Sequence, residues 1–158
     1  MVTANQELSQ IIDKEGWAAV QVHETDQQPN YAYSVGLWKT FQHPEVIVFG
    51  LLPDVGHRLI NVIGEGVREG TRFPSSGTSS EVLEGRDCAF REVSPGAIPA
   101  YMGEAQKYYG TVFPAIHCIW PDRDGRLPWQ PGTSIEYRRQ QPMLSDGPEP
   151  HTPVRPGD

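Results

Sequence analysis

The stretch EVIVFGLL, residues 45–52, constrains this chain more than any other. A short run that is apolar at nearly every position, entered through His43-Pro44 and left through Pro53-Asp54, reads as a central strand covered on both faces. The fold therefore has to supply helices that pack on a sheet.

The flanking sequence supplies them. Thr3-Ala4-Asn5-Gln6 has the capping-box pattern, Leu8, Ile11 and Ile12 form one helical face, and Gly16 ends the helix. From Trp17 the period changes to two, which gives a half-buried strand, and Glu24 to Asn30 makes a turn. YAYSVGLW, 31–38, reads as a second strand with Tyr31, Tyr33, Val35 and Leu37 on one face and Ala32, Ser34, Gly36 and Trp38 on the other. After the central strand, Asp54 is expected to cap a helix over 54–69, with Val55, Leu59, Val62, Ile63, Gly66 and Val67 inward and Gly70 as its stop. FPSSGTSS reads as a Ser/Gly loop, and EVLEG and CAFREVS as a strand pair around Gly85-Arg86-Asp87. A third helix runs from Ile98, with Pro99 in its first turn, to Gly110.

The segment FPAIHCIWPDRDGRLPWQPG, 113–132, supplies a last strand and a turn at Asp124-Gly125 between two extended arms. After about Gln141 the chain becomes proline-rich. The expected architecture is α+β, a mainly antiparallel sheet with about three helices packed on it. Residues 1–144 are read as one globular domain and 145–158 as a flexible Pro-rich tail.

Charge and composition exclude several functions. The net charge is -7, with 20 acidic against 13 basic residues, and no basic stripe is present for a nucleic-acid backbone. No apolar stretch approaches the ~20 residues that span a bilayer, and no secretory signal opens the chain, so a cytoplasmic location is expected. Cys88 and Cys118 lack metal or redox spacing and read as two buried, reduced thiols. No metal-binding, nucleophile or phosphate-loop motif occurs, so no reaction is dictated and no metal is expected.

Candidate site residues follow from local context. His57, at the start of the second helix and away from its apolar face, suits a base or ligand, with an ordinary surface residue as the alternative. His43 sits in extended geometry at a strand entrance. His117 lies on the strand face of Ala115 and Ile119 and reads as a satisfied core histidine, while His23 is on a polar face and His151 in the tail. The small face of Ala32, Ser34, Gly36 and Trp38 leaves room for a helix or a flat ligand, and Tyr33 projects from the other side. Trp120 and Trp129 flank the turn that holds Asp122, either as a stiff corner or as a lid over a pocket. These eight, Tyr33, Ser34, Trp38, His43, His57, Trp120, Asp122 and Trp129, are the pocket candidates.

The order of pieces is itself informative. GWAAVQV, PNYAYSVGLW, HPEVIVFGL, HRLINVI with Gly70, AYMGEAQKYY, FPAIHCIWPDRDGRLPWQPG and QPMLS together resemble the bacterial domain-of-unknown-function family 4262, from about Gly16 to Leu144. The resemblance implies a small bacterial cytoplasmic protein of one domain and no particular reaction, and the tail lies outside it. In shape, the strand with Ser and Gly followed by a His-Pro-Glu turn is similar to flavin-binding split barrels, without their usual basic phosphate contacts. Three readings follow. The first is a binding or accessory protein for a small molecule or peptide. The second is a flavin-assisted enzyme on a split-barrel-like sheet. The third is an immunity-type interaction module whose acidic surface meets a basic protein.

Overall fold

The computed structural model describes residues 4–144. The expected helix start at Thr3 and the Pro-rich tail lie outside the described residues. The elements are α1 (Ala4–Glu15), β1 (Ala18–Val22), β2 (Tyr31–Val35), α2 (Leu37–Phe41), β3 (Glu45–Phe49), α3 (Pro53–Arg68), β4 (Ser76–Leu83), β5 (Arg86–Glu92), α4 (Ala97–Tyr101), α5 (Gly103–Tyr109), β6 (Ala115–Ile119) and α6 (Ile135–Arg139). They form an α+β fold on one six-stranded sheet in the order β1-β2-β3-β6-β5-β4. Only β3 and β6 pair parallel; every other neighbouring pair is antiparallel. The sheet is not a closed barrel.

The central strand behaves as its composition requires. Every residue of β3 is buried. Val46 and Val48 enter a cluster under α3 with Trp17, Ile60, Ile63, Phe90 and Cys118. Ile47 and Phe49 enter the opposite cluster, with Ile12, Tyr33, Met102, Ala105 and Phe113 from α1, α5 and their neighbours. Both cysteines are free and buried on the α3 side. The neighbouring Cys88 thiol, together with burial, raises the pKa of Cys118.

Several expectations need correction. The described residues contain six helices rather than about three. The third expected helix is two, because backbone geometry breaks at Met102 between α4 and α5. The second strand ends at Val35, and Trp38 lies on the short helix α2 instead. Gly36 makes that turn at φ +117°, where a Cβ would meet Gly16 O, Ile12 Cγ2 and Trp17 Cα at 2.9 Å. Most of the expected Ser/Gly loop belongs to β4, held by backbone pairing to β5 although its side chains are small and polar. No second arm follows the Asp124-Gly125 turn; the chain leads to α6.

Asp54 is not the cap of α3. Pro53 takes a first-turn position, where its missing N–H costs nothing, and Asp54 follows in the first turn. The buried face of α3 is also rotated from the expected stripe. Leu59, Ile60, Ile63 and Val67 are buried together with Gly56 and Gly64, while Val55 and Val62 are 37% and 43% exposed. The two glycines set that rotation. A Cβ on Gly64 would sit 2.3 Å from the Trp17 ring, and one on Gly56 would sit 3.5 Å from the Ala32 Cβ. The room above the small face of β2 is therefore taken by a helix.

Candidate functional site

Three of the eight pocket candidates are fixed in structural networks at one end of the sheet. Ser34 donates through Oγ to Glu45 Oε1 at 2.6 Å, and accepts from the Val46 N–H at 2.9 Å. The same carboxylate accepts from the N–H groups of Gly36 at 2.9 Å, Leu37 at 3.3 Å and Trp38 at 3.2 Å, and from the Tyr109 hydroxyl. Glu45 thus caps α2 from the start of β3, and Trp38 contributes its backbone to that cap. Burial raises the pKa of Glu45, against the opposing effect of the hydrogen bonds from Ser34 and Tyr109. On the other face Tyr33 is buried, and its hydroxyl accepts from the Glu104 N–H at 2.9 Å. Burial pushes its pKa up to about 12.

The two candidate histidines part company. His43 is fully buried, with Nδ1 2.8 Å from Pro44 O and Nε2 accepting from the Phe73 N–H at 3.1 Å. Both ring nitrogens are occupied in pinning the chain after α3 to the start of β3, and burial lowers its pKa. His57 is exposed on the outer face of α3.

Around Asp122 the chain is knotted. Its Oδ1 accepts from the Asp124 and Arg126 N–H groups at 2.9 and 2.8 Å, and its own N–H donates to Arg126 O at 2.8 Å. The bond from Arg126 N–H leads the causes that lower its pKa. Trp120 donates through Nε1 to Phe49 O at 2.7 Å and stacks edge-on against Tyr137, whose hydroxyl donates to Trp120 O at 2.5 Å. Gln141 completes the corner, pairing its side-chain amide with the Trp120 backbone at 3.0 and 2.9 Å. Trp120 and Asp122 border a charged hollow of about 410 Å³ with Arg126 and Tyr137. Trp129 packs elsewhere, against Ala89, Ile119 and Leu127. These contacts describe a braced corner, with the two indoles serving different clusters.

Two features were missed by the sequence reading. His117 is 1% exposed, and neither ring nitrogen has a hydrogen-bond partner among the described residues. It is therefore not a satisfied core histidine. Burial, with the charge of Arg91 opposite it on β5, lowers its pKa to about 3, so the ring is neutral. A histidine in the middle of the otherwise apolar AIHCI was the available signal.

The second is a groove of about 440 Å³ between α3 and β4. Val62, Gly66 and Phe73 supply apolar surface; Glu65 on α3, Glu69 at its C-cap and Glu81 on β4 supply carboxylates, against Arg58. Arg68 pairs with Glu65 at 3.1 Å and also lies over the Trp17 ring, 4.7 Å from its centroid. Trp17 in turn donates to Asn61 Oδ1 at 3.0 Å, so the α3 side of the groove is held to the start of β1. The sequence signal was Val62, misread as core.

The model of the domain of unknown function DUF4262 matches residues 11–134. The chain belongs to the DUF4262 family. The DUF4262 match runs from within α1 through β6 and the Asp122 corner, ending at Ser134, the cap of α6. Searches of the curated proteins and of the solved structures return no match. The DUF4262 description carries no activity, so the functional reading rests on the geometry above. No helix among the described residues is long and apolar enough to cross a membrane.

Proposed function

We propose that this DUF4262 protein is a binding protein whose partner surface is the groove between α3 and β4, and that the partner offers a peptide segment. The observation that carries the reading is the groove itself, in which apolar side chains and a carboxylate rim lie on one outward face. Helix α3 already buries a full face on the sheet, yet Val55 and Val62 add a second, exposed apolar line on its outside. Leu52, just before the helix, is 71% exposed. Amphipathic segments bind such helix-walled grooves through apolar anchors, with charges at the rim setting orientation and partner choice. The net charge of -7 favours a basic partner, which merges the peptide-binding reading with that of an interaction module.

A displayed library of random peptides, selected against the purified protein, tests this. Enriched peptides should lose affinity by about tenfold or more for Val62→Asp, which places a charge on the groove floor. They should bind His57→Ala, altered on the same helix but outside the groove, as they bind the parent. Failure to enrich any peptide, or equal affinity for Val62→Asp, would refute the reading.

A further inference from the structure

The wall of the groove opposite α3 is a sheet edge. β4 is the longest strand and ends the strand order, so no strand pairs with its outer side among the described residues. A strand edge presents a row of backbone N–H and C=O groups, and proteins commonly blunt such edges with lysine, proline or a bulge. The 76–80 portion of β4, SGTSS, has neither lysine nor proline, and all but one of its residues are exposed. The irregularity in its pairing with β5 falls between Ser79 and Leu83, and takes in Ser80 and Glu81. Glu81, on the same strand, belongs to the groove. The strand edge therefore meets the groove at Glu81, the one β4 residue that lines it.

Resting on the peptide-binding reading, we infer that the partner is bound as an added β-strand along the outer edge of β4. Alternate side chains of that strand enter the α3–β4 groove, and a lysine or arginine among them faces Glu65, Glu69 and Glu81. In this mode main-chain hydrogen bonds supply affinity and the groove supplies specificity. A basic partner fits better than a second copy of this chain. Two β4 edges paired with each other would bring like-charged grooves together, on chains that each carry -7. The other edge of the sheet, β1, is a five-residue strand, and none of its residues lines this groove.

A library-selected peptide that binds the parent protein is resynthesised with single backbone N-methyl groups along its length. Strand addition predicts a period of two: methylation at alternate positions weakens binding by about tenfold or more, and at the positions between leaves it unchanged. The bound peptide should also protect amides of residues 76–83 from hydrogen exchange. Glu69→Gln with Glu81→Gln, both at exposed positions, should weaken binding several-fold and flatten its salt dependence. Binding without the alternation and without protection of β4 would overturn strand addition while leaving the groove reading intact. A peptide-free dimer with β4 protected would make a second copy the occupant and overturn the basic-partner assignment. Absence of any binding peptide would remove both readings together.

Discussion

The Tyr109 hydroxyl, on α5, donates to the carboxylate of Glu45, the first residue of β3 and one that solvent does not reach. That contact ties a helix, a central strand and the α2 cap into one network. The neighbouring Lys39 N–H donates to the same hydroxyl at 3.1 Å. Burial, and then the Glu45 charge, push the pKa of Tyr109 far above its usual value, so the phenol remains a donor.

Glu45→Gln should therefore destabilise although it keeps the shape. Oε1 accepts from Ser34 and Leu37, and Oε2 from Gly36, Trp38 and Tyr109. An amide NH2 in either place faces donors, at a cost of about 1–3 kcal/mol for each group left unsatisfied. The pH dependence has a definite sign. The folded pKa of Glu45 is raised, so its contribution is fully present below the ordinary value of 4.5 and is lost as pH rises through the folded value. Denaturant unfolding at a series of pH values checks both points, since the Gln variant lacks this component. A Gln variant as stable as the parent across the whole pH series would show that the network contributes nothing.

On α3, Leu59→Ala should cost roughly 2–5 kcal/mol and Val62→Ala less than about 0.5 kcal/mol, since the first is 6% exposed and the second 43%. Gly64→Ala gains about 1 kcal/mol of helix propensity but drives a methyl into the Trp17 ring, and should be destabilising by about 1–3 kcal/mol. Melting curves of the three variants give the order. A stabilised Gly64→Ala would mean that the helix does not sit so close.

That contrast explains how much could be read from the sequence. EVIVFGLL announced a doubly covered strand because its apolar run is local information. The stripe of α3 was misplaced because it took in Val55 and Val62 and left out Gly56 and Gly64, which are buried, with Gly64 against the Trp17 ring. The first part of β4 was read as a loop because SGTSS has no apolar alternation; backbone pairing to β5 makes it a strand. The cap of α2 could not be seen because Glu45 lies eight residues after Leu37, on another element. Of the pocket candidates, Ser34, His43 and Asp122 each have polar atoms engaged within the fold. The groove required two elements to meet, which periodicity within either one does not reveal.

His117→Leu should raise stability by about 1–3 kcal/mol at neutral pH, because it removes two buried nitrogens that have no partner among the described residues. The pH effect points the same way. With the folded pKa lowered to about 3 from 6.5, the parent's stability is full above the higher value and falls as pH drops toward the lower one. The Leu variant should lose less across that window. Chemical denaturation at pH 7 and pH 4 measures the difference, and a destabilised variant at both would show that the imidazole is satisfied in solution.

The claim that the α3–β4 groove is the partner surface is tested most directly by amide NMR. A library-selected peptide is titrated into the isotope-labelled protein while backbone shifts are followed. The account predicts that the largest changes fall within residues 58–73 and 76–83, around Val62, Phe73 and Glu81. Changes concentrated instead at the Trp120–Tyr137 corner, with α3 and β4 unmoved, would contradict it.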